Sequence, residues 1–360
     1  KTPIRPAGFM KKKLVGVMYP KTRFEAKEKK DYSIELESLE TIGAEIIAIP
    51  ISEDEEYPEI VSEIEALIAS WPIYIGKKLI AALKKCVVIA NGSVGVDMID
   101  VDEASKAGIV VTNVPDVFIE ETADHTMMLL LATSRRVTMM NKMVREGEWV
   151  KGRPILVEFP RLWGQTLGLL GFGNIATAVA RRAKGFGLNI IACDPYVSEL
   201  KMTGEGVEPV SMNELLERSD YLSLHPALNS ETKRIISHSQ FQKMKKNAVL
   251  INCSRGGVVD ENALVSALQN GKIAAAGLDV LEKEPPELDN PLLNMENVII
   301  TPHAASGTSR MRPASRSRVG HEIVLALSGK WPMSVVNPSI MPKVPMERWQ
   351  PYPMGRGPNR

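Results

Sequence analysis

Three residues in the second half of the chain, Arg255, Glu284 and His303, have side chains suited to moving a proton while a hydride leaves or arrives. A histidine titrates near neutrality, so His303 suits the base that takes the hydroxyl proton of a 2-hydroxy acid. In the reverse direction its imidazolium would protonate the alkoxide formed from a 2-oxo acid. Glu284 beside it would favour the charged ring, fix its orientation and raise its pKa. Arg255 offers a planar fork of donors that can hold a substrate carboxylate and polarise the neighbouring carbonyl. Each stands just beyond an apolar run: Arg255 after Val249-Leu250-Ile251-Asn252, Glu284 after the run ending at Asp279, and His303 after Val298-Ile299-Ile300. Gly256-Gly257 lets the chain turn behind Arg255, while Pro285-Pro286 and Pro302 stiffen the other two segments. Singly, each has a plainer reading. A histidine at a strand end is more often structural, a lone arginine is usually a surface ion pair, and Glu284 follows Glu282 and Lys283 as a solvated loop charge would. Their shared position beyond strand ends, where open parallel sheets bind ligands, is what joins them.

The elements that must position them centre on a dinucleotide fingerprint. An apolar run at 167–170 leads into Gly171-Phe172-Gly173-Asn174-Ile175-Ala176, then a helical pattern through Ala178, Val179 and Ala183. A second apolar run, Ile190-Ile191-Ala192, ends at Asp194. The glycines permit a tight turn and close approach of a pyrophosphate to the helix N-terminus. Ala176 replaces the usual third glycine but is still small enough for close helix–strand packing. Asp194 is placed to accept from the ribose hydroxyls and to repel a 2′-phosphate, so NAD is favoured over NADP. The fingerprint lies mid-chain, so a folded domain precedes it. Strands are expected at 14–17, 44–49, 87–89 and 108–111, with helices through 34–39, 60–67 and 77–83. A long helix, 119–136, could cross between domains. Strands at 221–224, 248–251, 274–278 and 298–300 follow, with Asp260 capping a helix at 261–268 and a last helix at 316–328 returning to the first domain. The fold class is α/β: two Rossmann-like, doubly wound parallel-sheet domains with a cleft between them. The expected division is 10–113 with 305–338 for a substrate-binding, flavodoxin-like domain, 114–304 for an NAD-binding domain, and 339–360 for an extension.

A chain of 360 residues can hold two such domains. With 44% hydrophobic and 24% charged residues it reads as globular, and a net charge of +1 gives no support for nucleic acid as a partner. No apolar run approaches a membrane span. Cys86, Cys193 and Cys253 are odd in number and lack CxxC pairing, which fits buried thiols of a reducing, cytoplasmic compartment and no metal site. Residues 1–9 read as either a non-native remnant or a disordered lead, and the Pro- and Arg-rich stretch from Met341 to Arg360 as a mobile or surface-draped tail. Asn91-Gly92-Ser93-Val94-Gly95 is either a turn whose N–H groups receive a substrate carboxylate or an ordinary strand–helix turn. His225, at a strand end, could touch cofactor; His125, His238 and His321 read as structural. Lys77 and Lys78 could meet a phosphorylated substrate, and Arg310, Arg312, Arg316 and Arg318 an anionic one. The plainer reading of both groups is a solvated helix start.

These segments together resemble the D-2-hydroxyacid dehydrogenase family over residues 13–338. The resemblance rests on NGSVGVDMID (91–100), GIVVTNVPDVFIEETADHT (108–126), GQTLGLLGFGNIATAVA (164–180), DPY (194–196), NCSRGGVVDENAL (252–264), GLDVLEKEP (277–285) and TPHAA (301–305). The EETAD and DPY segments are similar to the branch holding the C-terminal binding proteins, dehydrogenase-like transcriptional corepressors; phosphoglycerate dehydrogenases are also close. The resemblance implies an NAD-dependent oxidoreductase acting on a small 2-hydroxy or 2-oxo acid. It implies Arg255, Glu284 and His303 as the catalytic set, and a homodimer built through the helices after Pro115. Cofactor contacts would come from Thr122, Gly171, Phe172, Gly173, Asn174, Ile175, Asp194, Ala227, Asn229, Cys253 and Asp279. Ser93, Val94 and Gly95, with Arg255, would receive the substrate. Two departures stand out: His225-Pro226-Ala227 lacks the common His-x-Pro order, and Ser306 replaces the corepressors' tryptophan. With no regulatory domain after the catalytic region, the longer phosphoglycerate dehydrogenases are the poorer match. The alternative is a dinucleotide-sensing interaction protein like the corepressors.

Overall fold

A computed structural model describes residues 12–21, 31–52, 56–70, 73–158 and 160–348. Residues 1–9 and the end of the tail from 349 lie outside the described residues. The chain divides into two compact units, one formed by residues up to Val117 and from Ser309 onward, the other by Phe118–Thr308.

Among the described residues the first unit holds five parallel strands, β1 (Lys13–Pro20), β2 (Ala44–Ile51), β3 (Ala66–Ile68), β4 (Val88–Ala90) and β5 (Val110–Thr112), in the order β2-β1-β3-β4-β5. This is the flavodoxin-like order. β3 corrects the sequence reading. A helix is expected through 60–67, yet Glu59–Glu63 forms a 3-10 turn and Ala66–Ile68 is a central strand. A short continuous apolar run buried on both faces is a parallel strand's signature, but periodicity does not distinguish it from a helix segment.

The helix Met311–Leu327 belongs to this unit; Arg316 and Arg318 on it are half-buried and ion-paired, while Arg312 is exposed, as at a solvated helix start. Arg316 Nε lies 2.7 Å from Glu35 Oε1, and Arg318 Nε lies 2.6 Å from Glu322 Oε1. Arg310 donates to the Val117 carbonyl at 3.1 Å. The segment 337–348, which includes the start of the expected tail, is also part of the unit. Asn337 accepts from Val111 N at 2.9 Å and donates to Ile109 O at 3.0 Å, and Glu347 N donates to Gly329 O at 2.8 Å.

Among the described residues the second unit holds seven parallel strands: β6 (Thr166–Leu170), β7 (Asn189–Cys193), β8 (Glu208–Pro209), β9 (Tyr221–Leu224), β10 (Val249–Asn252), β11 (Ala275–Leu278) and β12 (Val298–Ile300). Their order is β12-β11-β10-β9-β6-β7-β8, so the winding reverses between β6 and β9. One sheet face packs on the helices Ile119–Ser134 and Asn174–Gly185 through Met127, Leu130, Val179 and Ala183. The other packs on Met212–Arg218, His238–Lys243 and Glu261–Gln269 through Leu215, Phe241 and Leu264. The helix Ile119–Ser134 therefore does not cross between units; it lies wholly in this one, against β10, β11 and β12. Its Leu129 and Leu130 are fully buried, a contribution of about 2 kcal/mol each.

Candidate active site

Beyond β12 the chain folds back over the end of β11. His303 adopts a left-handed backbone, φ 51°, which costs a residue with a side chain on the order of 1 kcal/mol. The turn is held by one buried acid. Asp279, just after β11, accepts from Thr301 Oγ1 (2.6 Å) and Ala304 N (2.8 Å) at Oδ1, and from Ala305 N (2.8 Å) at Oδ2. Its carbonyl accepts from His303 N at 2.8 Å. So presented, His303 sets Nδ1 2.7 Å from Glu284 Oε2, while Glu284 Oε1 accepts from Leu281 N at 3.1 Å. Nε2 is left as the ring nitrogen that can exchange a proton with a ligand.

The electrostatics follow the geometry. The hydrogen bond and charge of Glu284 hold the His303 pKa above its ordinary value, against burial and the charge of Arg255. Burial pushes the Glu284 carboxyl up, but the bond to His303, reinforced by Leu281 N and Arg255, leaves it below the usual range. Arg255 is thus near enough to act on both partners. It follows β10, whose last residue, buried Asn252, donates to Arg255 O at 3.0 Å and accepts from Ser254 N at 3.0 Å. The structure brings Arg255, Glu284 and His303 together across residues far apart in sequence.

The dinucleotide segment lies where the sheet order reverses. Gly171 has φ 83°, and a Cβ there would stand 3.0 Å from the His225 carbonyl carbon beyond β9. Asp194 accepts from Phe172 N (2.7 Å) and Tyr196 N (2.8 Å), tying the turn to the end of β7. Phe172 has its ring fully buried in the core and gives its N–H to Asp194. Ala176 is also fully buried, as close helix–sheet packing requires. A Cβ on Gly173 would meet no atom within 4 Å, so open space fronts the helix Asn174–Gly185, whose first N–H groups lack intrahelical acceptors. Gly171, Gly173, Asn174, Ile175 and Asp194 therefore fit a dinucleotide.

Other expected residues have distinct settings. Thr122, Cys253 and Asp279 are buried, and burial pushes the Cys253 thiol up to about 12. Ala227 and Asn229 are exposed, and the Asn229 side chain accepts from Glu231 N and Thr232 N. His225 sits 2.9 Å from Ser223 Oγ, and burial pushes its pKa down to about 4, so it offers no charge. His125, expected to be structural, reaches Thr301 at 2.8 Å. Its partner is 176 residues away, and no local signal in the sequence marks the pair.

Ser93, Val94 and Gly95 belong to the first unit and the catalytic set to the second. Ser93 O accepts from Val114 N (3.0 Å), Val94 O from Asn113 Nδ2 (2.8 Å) and Gly95 O from Asn91 Nδ2 (2.6 Å). The carbonyls are all held by the unit itself, and among the described residues the three N–H groups meet no acceptor. Among the described residues no helix is long and apolar enough to cross a membrane, and no group of three His, Cys, Asp or Glu could hold a metal ion.

Residues 127–305 match a family model described as D-isomer specific 2-hydroxyacid dehydrogenase, NAD binding domain. The chain is 43% identical to a glyoxylate reductase of Korarchaeum cryptofilum, over 79% of this chain and 86% of that one. It is 40% identical to a D-3-phosphoglycerate dehydrogenase of Methanocaldococcus jannaschii over 86% of this chain, but spans only 58% of that protein's length. Among solved structures it is similar to an NADPH-dependent glyoxylate/hydroxypyruvate reductase of Sinorhizobium meliloti in complex with NADP and malonate. The TM-score is 0.75, with 31% identity over 94% of this chain and 100% of that one.

Proposed function

The chain belongs to the D-isomer specific 2-hydroxyacid dehydrogenases, and on that premise we propose that it interconverts a D-2-hydroxy acid and its 2-oxo acid through Arg255, Glu284 and His303. The observation that carries this reading is the 2.7 Å contact between His303 Nδ1 and Glu284 Oε2, beside a guanidinium. When bound, the nicotinamide dinucleotide supplies or accepts the hydride. His303 Nε2 gives its proton to the developing alkoxide during reduction and takes the hydroxyl proton during oxidation. Glu284 keeps the ring charged and oriented, and Arg255 holds the substrate carboxylate and polarises the carbonyl. The N–H groups of Ser93, Val94 and Gly95, which meet no acceptor among the described residues, support an anion-receiving role for that loop of the first unit. On this reading the second unit is the cofactor domain and the first the substrate domain.

Asp194 supports NAD over NADP, since a 2′-phosphate would face its carboxylate. We also propose a homodimer. An apolar groove runs between the helices Ile119–Ser134 and Asn174–Gly185, lined by Met127, Met128, Leu131 and Phe186, and the following helices expose Val144, Trp149 and Val150. The three free cysteines support a reducing, cytoplasmic setting. No finding favours the corepressor-like alternative.

NADH oxidation measured with glyoxylate, hydroxypyruvate, pyruvate, 2-oxoglutarate and 3-phosphohydroxypyruvate tests the reaction. Turnover of at least one is expected, with NADPH used less well. Tight NADH binding without turnover of any 2-oxo acid would overturn the reading. Sedimentation velocity tests the dimer.

A further inference from the structure

The turn that carries His303 has a member from outside it. His125, on the helix Ile119–Ser134, places Nε2 2.8 Å from Thr301 Oγ1 and 3.3 Å from Asp279 Oδ1. The Thr301 hydroxyl has one proton and gives it to Asp279 at 2.6 Å, so towards His125 it can only accept. Nε2 of His125 therefore carries a proton and directs it between the hydroxyl and the carboxylate. Asp279 is 1% exposed, and a carboxylate so far from water depends on its donors. Thr301, Ala304 and Ala305, its other donors, are parts of the turn itself. Of these donors, His125 is the one fixed on a helix packed against the sheet.

We propose that His125 is a positioning residue for His303: through Thr301 and Asp279 it locks the turn that holds the His303 ring against Glu284. A left-handed residue persists only where its surroundings over-determine it, and this donor links the turn to the core. Without it the turn relaxes and the ring leaves Glu284. The effect on rate rests on His303 being the proton carrier proposed above; the effect on the ring does not.

The test uses the full chain with His125→Leu, which removes the donor, and His125→Gln, which keeps an N–H at similar reach. Nuclear magnetic resonance follows the His303 ring through a pH titration, its signals assigned by their loss in His303→Ala. NADH affinity, kcat and KM for the best 2-oxo acid are measured alongside. In His125→Leu the His303 titration is expected to fall from its raised position towards that of an ordinary histidine. The kcat is expected to drop by about tenfold or more, with NADH affinity within about twofold. His125→Gln is expected to restore most of both. An unmoved His303 titration in His125→Leu, or a Gln variant no better than the Leu one, would overturn the proposal. Should His125→Leu fail to fold, Thr301→Val removes the bridging hydroxyl and is expected to give the same two shifts. Should the wild-type chain reduce no 2-oxo acid, the reaction assigned above fails, and the titration arm still decides whether His125 positions His303.

Discussion

His303 and Glu284 divide one task, and their variants separate its parts. His303→Ala removes the proton carrier, so kcat is expected to fall by about 10²- to 10⁴-fold while NADH binding is nearly kept. Equal loss of both would contradict the assignment. Glu284→Gln leaves the ring in place but takes away the charge that holds its pKa up. Reduction needs the imidazolium, so its rate is lost as pH rises through that pKa. Oxidation needs the neutral ring, so its rate is gained over the same interval. With Glu284 neutralised the pKa falls, and both limbs of the kcat/KM profiles are expected to move to lower pH. Profiles that stay where they were would deny Glu284 its role. Arg255→Lys keeps a charge but not a fork, and is expected to raise KM for the oxo acid by about ten- to a hundredfold, read from initial rates.

Between elements, the contact that matters most is one of backbone with backbone. A Cβ on Gly256 would lie 1.9 Å from the carbonyl oxygen of Leu281, the residue whose own N–H binds Glu284. Gly256→Ala must therefore push the Arg255 segment away from the Glu284 segment. A loss of about 1–3 kcal/mol in denaturant unfolding is expected, with a larger relative loss of turnover. Unchanged turnover would mean that the two segments can part without harm. The sequence reads Gly256 as a turn, which is sound but incomplete, because a partner 25 residues on leaves no local trace. The same limit explains what else was illegible. The glycine turn and Asp194 could be read because strand, turn, helix and strand are contiguous. β3 could not, because three apolar residues buried on both sides carry no period. His125 could not, because its helical spacing reports only the face it occupies and not the turn from residue 301 that meets it.

At the scale of the molecule, the chain builds part of one unit, completes the other, and then returns. The second unit, Phe118–Thr308, is continuous and contains both apolar layers of its sheet. The first is finished only by residues from 309 onward. Those residues supply buried Val319, Ile323 and Ala326, pair Arg316 with buried Glu35, and bond Asn337 to Val111 of β5. Residues 118–308 expressed alone are therefore expected to unfold cooperatively, and residues 1–117 alone are not, by circular dichroism in urea. Within the whole chain, Arg316→Ala isolates the effect. It leaves Glu35, with a side chain 5% exposed, as a buried charge without its partner, and such breakage costs about 3–5 kcal/mol. The loss is expected to appear as earlier unfolding of the first unit, with NADH affinity of the second unchanged. A loss of NADH affinity at denaturant concentrations where the first unit is still folded would mean that Arg316 acts on the cofactor domain, which its contacts with Glu35 and Asp31 give no reason to expect.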